Sequence, residues 1–221
     1  MQKQYSPEVL SKKKKTAAWF VSNCHATSGR DKYVKELQKY FPVDVYGTCG
    51  PLICPKSENC LQKLSKDYRF YMALENSICT DYTTEKFWEK AALIPIVPIV
   101  LSRAVLDPYM PKRSFIAVDD FESPEEMGKH LWMLMNNDSA YAELLAWRRN
   151  YRVIYLDGQR HDVAERPWGL CRLCKLLWQR PRPEKIARNF QTWWGPSGVC
   201  ERGELVEKQL INSGKRKILP E

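Results

Sequence analysis

The sequence predicts an α/β fold, a Rossmann-like parallel sheet with flanking helices, from three observations. Short apolar runs alternate with amphipathic segments up to about residue 150, as in sheets whose parallel strands are joined by crossover helices. Hydrophobic residues make up 44% of the 221 positions, enough for a buried core. A capping box with proline in the first turn, Ser123-Pro124-Glu125-Glu126, marks a helix start.

The predicted elements follow in a regular order. Apolar runs predict strands at 16–22, 43–46, 70–74, 96–100 and 115–118. Amphipathic spacing or capping residues predict helices at 31–40, 60–65, 85–93, 124–135 and 138–149. Thr83 and Thr84 are N-cap residue types ahead of the third helix, and Asp138 or Ser139 can cap the last. Polar or proline-rich segments predict loops at 23–30, 49–60 and 102–113.

Beyond residue 150 the pattern loosens. Helices are expected at 169–178 and 203–213, with a loop at 190–202 that is rich in Trp and Gly. We therefore divide the chain into an exposed lead-in (1–15), a sheet domain (16–150) and a C-terminal helical or loop extension (151–221).

Eight cysteines, an even and high number for this length, favour an oxidising compartment. The pair Cys171 and Cys174, in the string CRLC, is expected to have a structural disulfide role; zinc binding and redox activity are the alternatives. Asn137 opens a glycosylation sequon. The N-terminus lacks a signal-peptide core, and no apolar run approaches the ~20 residues of a membrane span. We therefore expect a fragment of a longer, lumenal protein.

The formal net charge of +9 points to an anionic partner: nucleic acid, an acidic membrane surface or a small anionic ligand. The excess is not concentrated in one stripe, and no motif typical of nucleic-acid binding is present. His25, His130 and His161 have no metal-ligand spacing. The sequence also lacks a Walker loop, a G-x-G-x-x-G and a G-x-S-x-G. A small anionic ligand is therefore favoured, and no metal is expected.

The stretch 68–100 gathers polar side chains between two predicted strands. These are Glu75, Asn76, Asp81, Tyr82, Glu85 and Lys86. In open α/β sheets ligands lie at the carboxyl ends of strands, and helix N-termini favour anions. The stretch therefore predicts a site for a phosphorylated ligand. For Glu85, compensation of the helix dipole is the alternative, and for Tyr82 it is a place in the core.

Arg30, in the loop after the first predicted strand, offers a fork of donors that matches phosphate. A solvated surface arginine is the alternative. Glu75 and Asn76 could read a purine edge or a ribose, or could simply form a turn.

Three strings carry a resemblance to a known family. SNCHATSGRDKYVKELQKYFPVDVYGTCG (22–50), YRFYMALENSICTDYTTEKFW (68–88) and VPIVL (97–101) resemble the α-1,3-fucosyltransferases of glycosyltransferase family 10. The similarity extends over roughly residues 16–150, and CRLC fits the family's C-terminal cysteines. Leu74 stands where the family often has Phe, and Pro95 and Ser102 stand where it often has Gly.

The resemblance implies a GT-B enzyme with two Rossmann-like domains, of which this chain would be the C-terminal, donor-binding one. The implied reaction is inverting transfer of fucose from GDP-fucose to an N-acetylglucosamine hydroxyl of a glycoprotein glycan, without a required metal. The full-length protein would be a type II membrane protein of the Golgi lumen. A different nucleotide-sugar transferase, or an inactive GDP-binding or lectin-like module, remains the alternative.

The resemblance also implies roles for single residues. Ser22, Asn23 and Arg30 would line the pyrophosphate; Glu75, Asn76 and Tyr82 would lie near the nucleoside; Glu85 would face the ribose or the fucose; and Lys86 would neutralise the phosphates. Arg30, Glu85 and Lys86 would be the catalytic residues of this chain. The general base is expected in the N-terminal, acceptor-binding domain, so this chain alone should bind GDP but barely transfer fucose.

Overall fold

The structure is a computed structural model that describes residues 10–55, 57–151, 153, 168–181, 188–190, 199–201 and 203–216. For 168–172 and 215–216 it describes the backbone alone.

Five parallel strands form the central sheet, and two further strands form a small antiparallel ribbon. In chain order the strands are β1 (Lys15–Phe20), β2 (Val43–Tyr46), β3 (Tyr68–Met72), β4 (Ile78–Cys79), β5 (Val97–Val100), β6 (Ile116–Ala117) and β7 (Cys200–Glu201). The central sheet has the order β2-β1-β3-β5-β6, and each neighbouring pair is parallel. Strands β4 and β7 pair antiparallel.

Helices connect the strands. They are α1 (Arg30–Leu37), α2 (Cys60–Asp67), α3 (Glu85–Trp88), α4 (Arg103–Leu106), α5 (Pro124–Met135), α6 (Asp138–Glu143), α7 (Trp168–Trp178) and α8 (Glu204–Arg216). Single 3-10 turns follow β6, at Val118–Asp120, and α6, at Ala146–Arg149.

The core lies on both faces of the sheet, as expected when parallel strands are covered by crossover helices. All five residues of β3 are buried. Because side chains alternate along a strand, Phe70 belongs to one core cluster and Tyr71 to the opposite one. The Phe70 cluster includes residues of α1, α5 and α8, whereas the Tyr71 cluster includes Phe87 of α3 and Trp147. Helices therefore pack against both faces of the sheet.

Most predicted elements are confirmed, and the differences have local causes. The predicted helix 85–93 is shorter in the structure: α3 ends at Trp88, and turns follow up to Pro95. The predicted loop 102–113 contains α4, whose first amide, Arg103 N, donates to Asp119 Oδ1 at 2.8 Å. Helix α6 is capped by Asn137, not by Asp138 or Ser139.

Within the predicted exposed lead-in, residues 1–9 lie outside the described residues, and two of residues 10–15 are buried. Leu10 is fully buried in the core, and Lys13 is 4% exposed. The Lys13 ammonium donates to Tyr68 O at 3.1 Å and to Pro95 O at 2.5 Å. This segment therefore joins the amino end of β3 to the residues that precede β5.

Parts of the predicted C-terminal extension pack against the sheet domain and do not form a separate unit. Helix α8 packs on α1 and α5, and its Val206 is 1% exposed within the core. Strand β7 pairs with β4 inside the region 16–150. These parts of the extension complete the sheet domain. The predicted helix at 169–178 is confirmed as α7, while most of the predicted loop 190–202 lies outside the described residues.

Three disulfides join Cys24 to Cys49, Cys54 to Cys60 and Cys79 to Cys200. Cys174 is free and exposed, so the predicted disulfide role of the CRLC pair is wrong for this residue, which α7 presents to solvent. Within the described ranges, no helix combines the length and apolar composition that a bilayer crossing requires.

Candidate functional site

The crevice of this sheet lies between β1 and β3, where the strand order reverses direction. In open α/β sheets this switch point, at the carboxyl ends of the strands, is where ligands bind. The loops that follow β1 and β3 meet there through hydrogen bonds. Ser28 donates from its amide to Asn76 O at 3.0 Å and from its hydroxyl to Glu75 O at 2.8 Å. Thr27 Oγ1 donates to Asn76 O at 3.2 Å. The two stretches predicted from sequence therefore meet in space.

Arg30 is the first residue of α1, and its side chain lies beneath this junction. It is 2% exposed, so it is not a solvated surface arginine. Its guanidinium donates from Nη1 to Leu74 O at 2.5 Å and from Nη2 to Asn23 O at 3.1 Å. It also lies over the Trp19 ring, with Cζ 5.6 Å from the centroid. Arg30 thus ties the end of β3 to the loop after β1.

Ser22 and Asn23 are exposed at the carboxyl end of β1. Asn23 Oδ1 accepts a hydrogen bond from the His25 amide at 3.3 Å. The disulfide of Cys24 with Cys49 joins this loop to the segment after β2. Two polar side chains therefore face solvent on a loop that is covalently fixed.

The Glu75 carboxylate is bound at the start of α3. Its side chain is 12% exposed. Oε1 accepts from the Thr84 amide at 2.7 Å and from Thr84 Oγ1 at 2.8 Å, and Oε2 lies 3.3 Å from Lys86 Nζ. Both oxygens are thus engaged within the protein, and the predicted contact of Glu75 with a nucleoside stays a prediction.

Lys86 lies between two carboxylates. Its Nζ is 3.3 Å from Oε1 of Glu85 as well as 3.3 Å from Oε2 of Glu75. Burial alone would raise the pKa of Glu85, but the Lys86 charge and hydrogen bonds from Thr84 and Lys86 outweigh it and hold that pKa below its usual value. Because α3 has only four residues, it offers little helix dipole, and the anion site expected at its N-terminus stays a prediction.

Three buried polar atoms around the crevice have no hydrogen-bond partner within the described structure. They are Nε of Arg30, Oδ1 of Asn76 and Oγ1 of Thr83. Buried polar atoms are nearly always paired, so these three are open to a partner such as water or a ligand atom. Tyr82, half-buried, lines an adjoining pocket with Phe87 and other apolar side chains. The crevice therefore combines apolar walls with unpaired polar groups.

Comparison with known proteins decides the family. The model of the family described as "Glycosyltransferase family 10 (fucosyltransferase) C-term" matches residues 10–193. The chain belongs to glycosyltransferase family 10.

Relatives in this family are named as fucosyltransferases. The chain is 46% identical over 201 residues to alpha-(1,3)-fucosyltransferase fut-1 of Caenorhabditis elegans. The matched region covers 90% of this chain and 46% of that protein. It is 39% identical over 194 residues to glycoprotein 3-alpha-L-fucosyltransferase A of Drosophila melanogaster, covering 85% and 36%. The chain thus spans about half the length, or less, of these curated relatives.

A solved structure of an alpha1,3-fucosyltransferase with GDP-fucose superimposes with a TM-score of 0.58 at 22% identity, covering 79% of this chain and 51% of that chain. The same enzyme type with GDP gives a TM-score of 0.58 at 21% identity, covering 82% and 54%. The fold is therefore the Rossmann-like half of the GT-B architecture of family 10.

Sequence reasoning missed two of the residues that form this crevice. It treated Thr84 as a helix cap alone, whereas the Thr84 hydroxyl lies 2.8 Å from both Glu75 oxygens and 3.1 Å from Lys86 Nζ. It also missed Ser28, although a run of small hydroxyl residues before a glycine is a signal for loop contacts. In the described part of the chain, no three His, Cys, Asp or Glu side chains are grouped as metal ligands. The metal requirement stays a prediction.

Proposed function

We propose that this chain is the donor-binding half of an α-1,3-fucosyltransferase. The reaction is transfer of fucose from GDP-fucose, with inversion, to an N-acetylglucosamine hydroxyl of a glycoprotein glycan. One observation carries the proposal: at the switch point of the sheet, Arg30 at the start of α1 binds Leu74 O, next to Glu75, and Glu75 is paired with Lys86. That position is where an α/β sheet binds a nucleotide. The names of the relatives, and the GDP-fucose complex of the solved enzyme, supply the identity of the nucleotide sugar.

The chemistry requires stabilisation of a departing diphosphate. As the bond to fucose breaks, negative charge grows on GDP while the sugar becomes oxocarbenium-like. The Arg30 guanidinium is fixed beneath the crevice by two carbonyls, and the Lys86 ammonium lies at its border. Cations held in place before the reaction stabilise this charge without reorganisation. Ser22 and Asn23 add polar groups on the opposite loop.

The remaining steps involve the acceptor and the compartment. Inversion needs a general base that takes the acceptor proton, and we assign it to an acceptor-binding domain of the GT-B enzyme. Three disulfides support a lumenal location, since such bonds persist in oxidising compartments. We propose the Golgi lumen and a type II membrane protein, with no required metal.

Calorimetric titration of this chain with GDP and with UDP tests the donor. We expect GDP to bind and UDP to bind far more weakly. Tight UDP binding without GDP binding would contradict the fucose donor and favour another nucleotide sugar.

A transfer assay tests the reaction. The chain is incubated with GDP-fucose and an acceptor that ends in N-acetylglucosamine, and the linkage of the product is determined by NMR. We expect slow turnover and an α-1,3 linkage, because fucose is β-linked in GDP-fucose and the reaction inverts. A β-linked product would exclude inversion, and turnover at a rate of about 1–1,000 per second, normal for an enzyme, would show that this chain contains the base.

A further inference from the structure

All three N–H donors of the Lys86 ammonium have an acceptor within reach. An ammonium offers three donors and no acceptor. Here Nζ lies 3.1 Å from Thr84 Oγ1, 3.3 Å from Glu75 Oε2 and 3.3 Å from Glu85 Oε1. A phosphate oxygen can therefore bind Lys86 only by replacing one of these three partners.

The two carboxylates beside Lys86 differ in how firmly they are held. The Glu75 side chain is 12% exposed, and its Oε1 also accepts from the Thr84 amide at 2.7 Å. Moving the Glu75 carboxylate out of this place would leave it and the Thr84 amide, both partly buried, without their hydrogen bonds, which is costly. The Glu85 side chain is 45% exposed. When its carboxylate leaves Lys86, water can solvate it, so the loss is small.

We propose that Lys86 exchanges partners when a diphosphate binds: Glu85 is displaced, whereas Glu75 and Thr84 stay bound and position the ammonium. This inference rests on the proposed function, because the anion is the diphosphate of the donor. Glu75 is then a positioning residue that acts through Lys86, and it makes no contact with the nucleoside.

A matched pair of substitutions, Glu85→Gln and Glu75→Gln, tests the exchange by calorimetry with GDP. Each removes one negative charge beside the anion, so charge alone would make GDP bind more tightly to both. Under the exchange, Glu85→Gln tightens GDP about 2- to 5-fold, since the displaced partner no longer competes. Glu75→Gln weakens GDP by about 10-fold or more, since the bonds that orient Lys86 are weakened.

Two further variants make the comparison robust. Glu143→Gln carries the same charge change at a side chain that is 60% exposed and paired with Arg113, and GDP affinity should not change. Thr84→Val keeps the charge and the branched shape but removes the hydroxyl between Glu75 and Lys86, and it should also weaken GDP binding. If Glu75→Gln does not fold, Thr84→Val and Glu85→Gln decide the question by their opposite directions.

A measurement without ligand separates this inference from the proposed function. In the ligand-free chain, the NMR order parameter of the Lys86 ammonium should fall in Glu75→Gln and stay high in Glu85→Gln. Tighter GDP binding in both glutamine variants, or an equal loss of order in both, would overturn the exchange. If wild-type chain binds no GDP, the proposed function fails, while the order parameters still report whether Glu75 positions Lys86.

Discussion

At the scale of single residues, Arg30 and Lys86 carry the positive charge of the crevice in different ways. Arg30 is 2% exposed and bound to carbonyls of two loops. Lys86 is near the surface and held by carboxylates. The sequence could indicate both residues, because their motifs and charges are local. It could not indicate that Arg30 binds the carbonyls of Leu74 and Asn23, since these residues become neighbours only when β1 and β3 pair.

Arg30→Ala tests the structural part of this role. We expect the free energy of unfolding to fall by roughly 2–3 kcal/mol, because two carbonyls lose a charged donor in a buried place. Urea denaturation measures the change. Lys35→Ala on the exposed side of α1 is the control and should change stability by less than about 0.5 kcal/mol. Equal effects of the two substitutions would contradict the role of Arg30.

Lys13 gives a prediction about pH. Burial, followed by the charges of Arg148 and Arg69, lowers the pKa of Lys13 to about 7, against a smaller opposing effect of Asp67. Between pH 7 and 9 the unfolded chain then binds more protons at this site than the folded chain. The contribution of Lys13 to stability therefore rises with pH across that window, and it becomes constant only well below pH 7, where Lys13 is protonated in both states.

Denaturation of the wild type and of Lys13→Met at pH 7, 8 and 9 measures this contribution. The difference in unfolding free energy between the two proteins should shift in favour of the wild type as pH rises. Lys14→Met, at an exposed neighbour, should show no such trend. If the difference in unfolding free energy between the wild type and Lys13→Met did not change with pH, the pKa of Lys13 would be the same in the folded and unfolded chain.

At the scale of elements, the loops of the crevice are fixed by cross-links as well as by hydrogen bonds. Cys24 with Cys49 holds the loop after β1, and Cys79 with Cys200 holds β4 to β7. The even number of cysteines predicted disulfides, but their pairing requires the fold. The start of helix α5 could be predicted because its N-cap Ser123 and the proline that follows are local signals. Helix α4 could not, since its first amide is bound by Asp119 from beyond β6.

The two disulfides of different span should differ in their contribution to stability. Cys79 and Cys200 are 121 residues apart, whereas Cys54 and Cys60 are 6 apart. Replacing both cysteines of a pair by serine should therefore cost more for the long span, by roughly 2–3 kcal/mol on the chain-entropy account. Urea denaturation of the two double variants measures this. A larger loss for the short span would show that local contacts, and not chain entropy, dominate.

At the scale of the whole molecule, the sheet and α8 form a single packed body. The parallel strands and the fold class were predictable from the alternation of apolar runs and amphipathic segments. The packing of α8 was not, because Val206 is buried against residues far away in the sequence, among them Gly29, where an added Cβ would lie 3.3 Å from Val206 Cγ1. A loosened pattern after residue 150 therefore did not mark the end of the domain.

A truncated chain tests whether the sheet and α8 fold as one unit. A chain that ends at residue 150 lacks α8 and β7, so part of the core beside α1 and α5 is exposed to water. We expect it to lose cooperative thermal unfolding, as followed by circular dichroism, whereas the full 221-residue chain unfolds in one transition. A cooperative transition of the shortened chain at the same temperature would show that residues 16–150 fold independently.

The central claim is that the nucleotide binds at the switch point between β1 and β3. Hydrogen exchange of the 221-residue chain, with and without GDP, tests it most directly. We predict slower amide exchange in 22–30 and 75–86, the two segments that meet around Arg30 and Lys86, and no change at the amino end of the sheet near Lys13. Protection confined to the amino end of the sheet or to α7, with both crevice segments unchanged, would contradict the account.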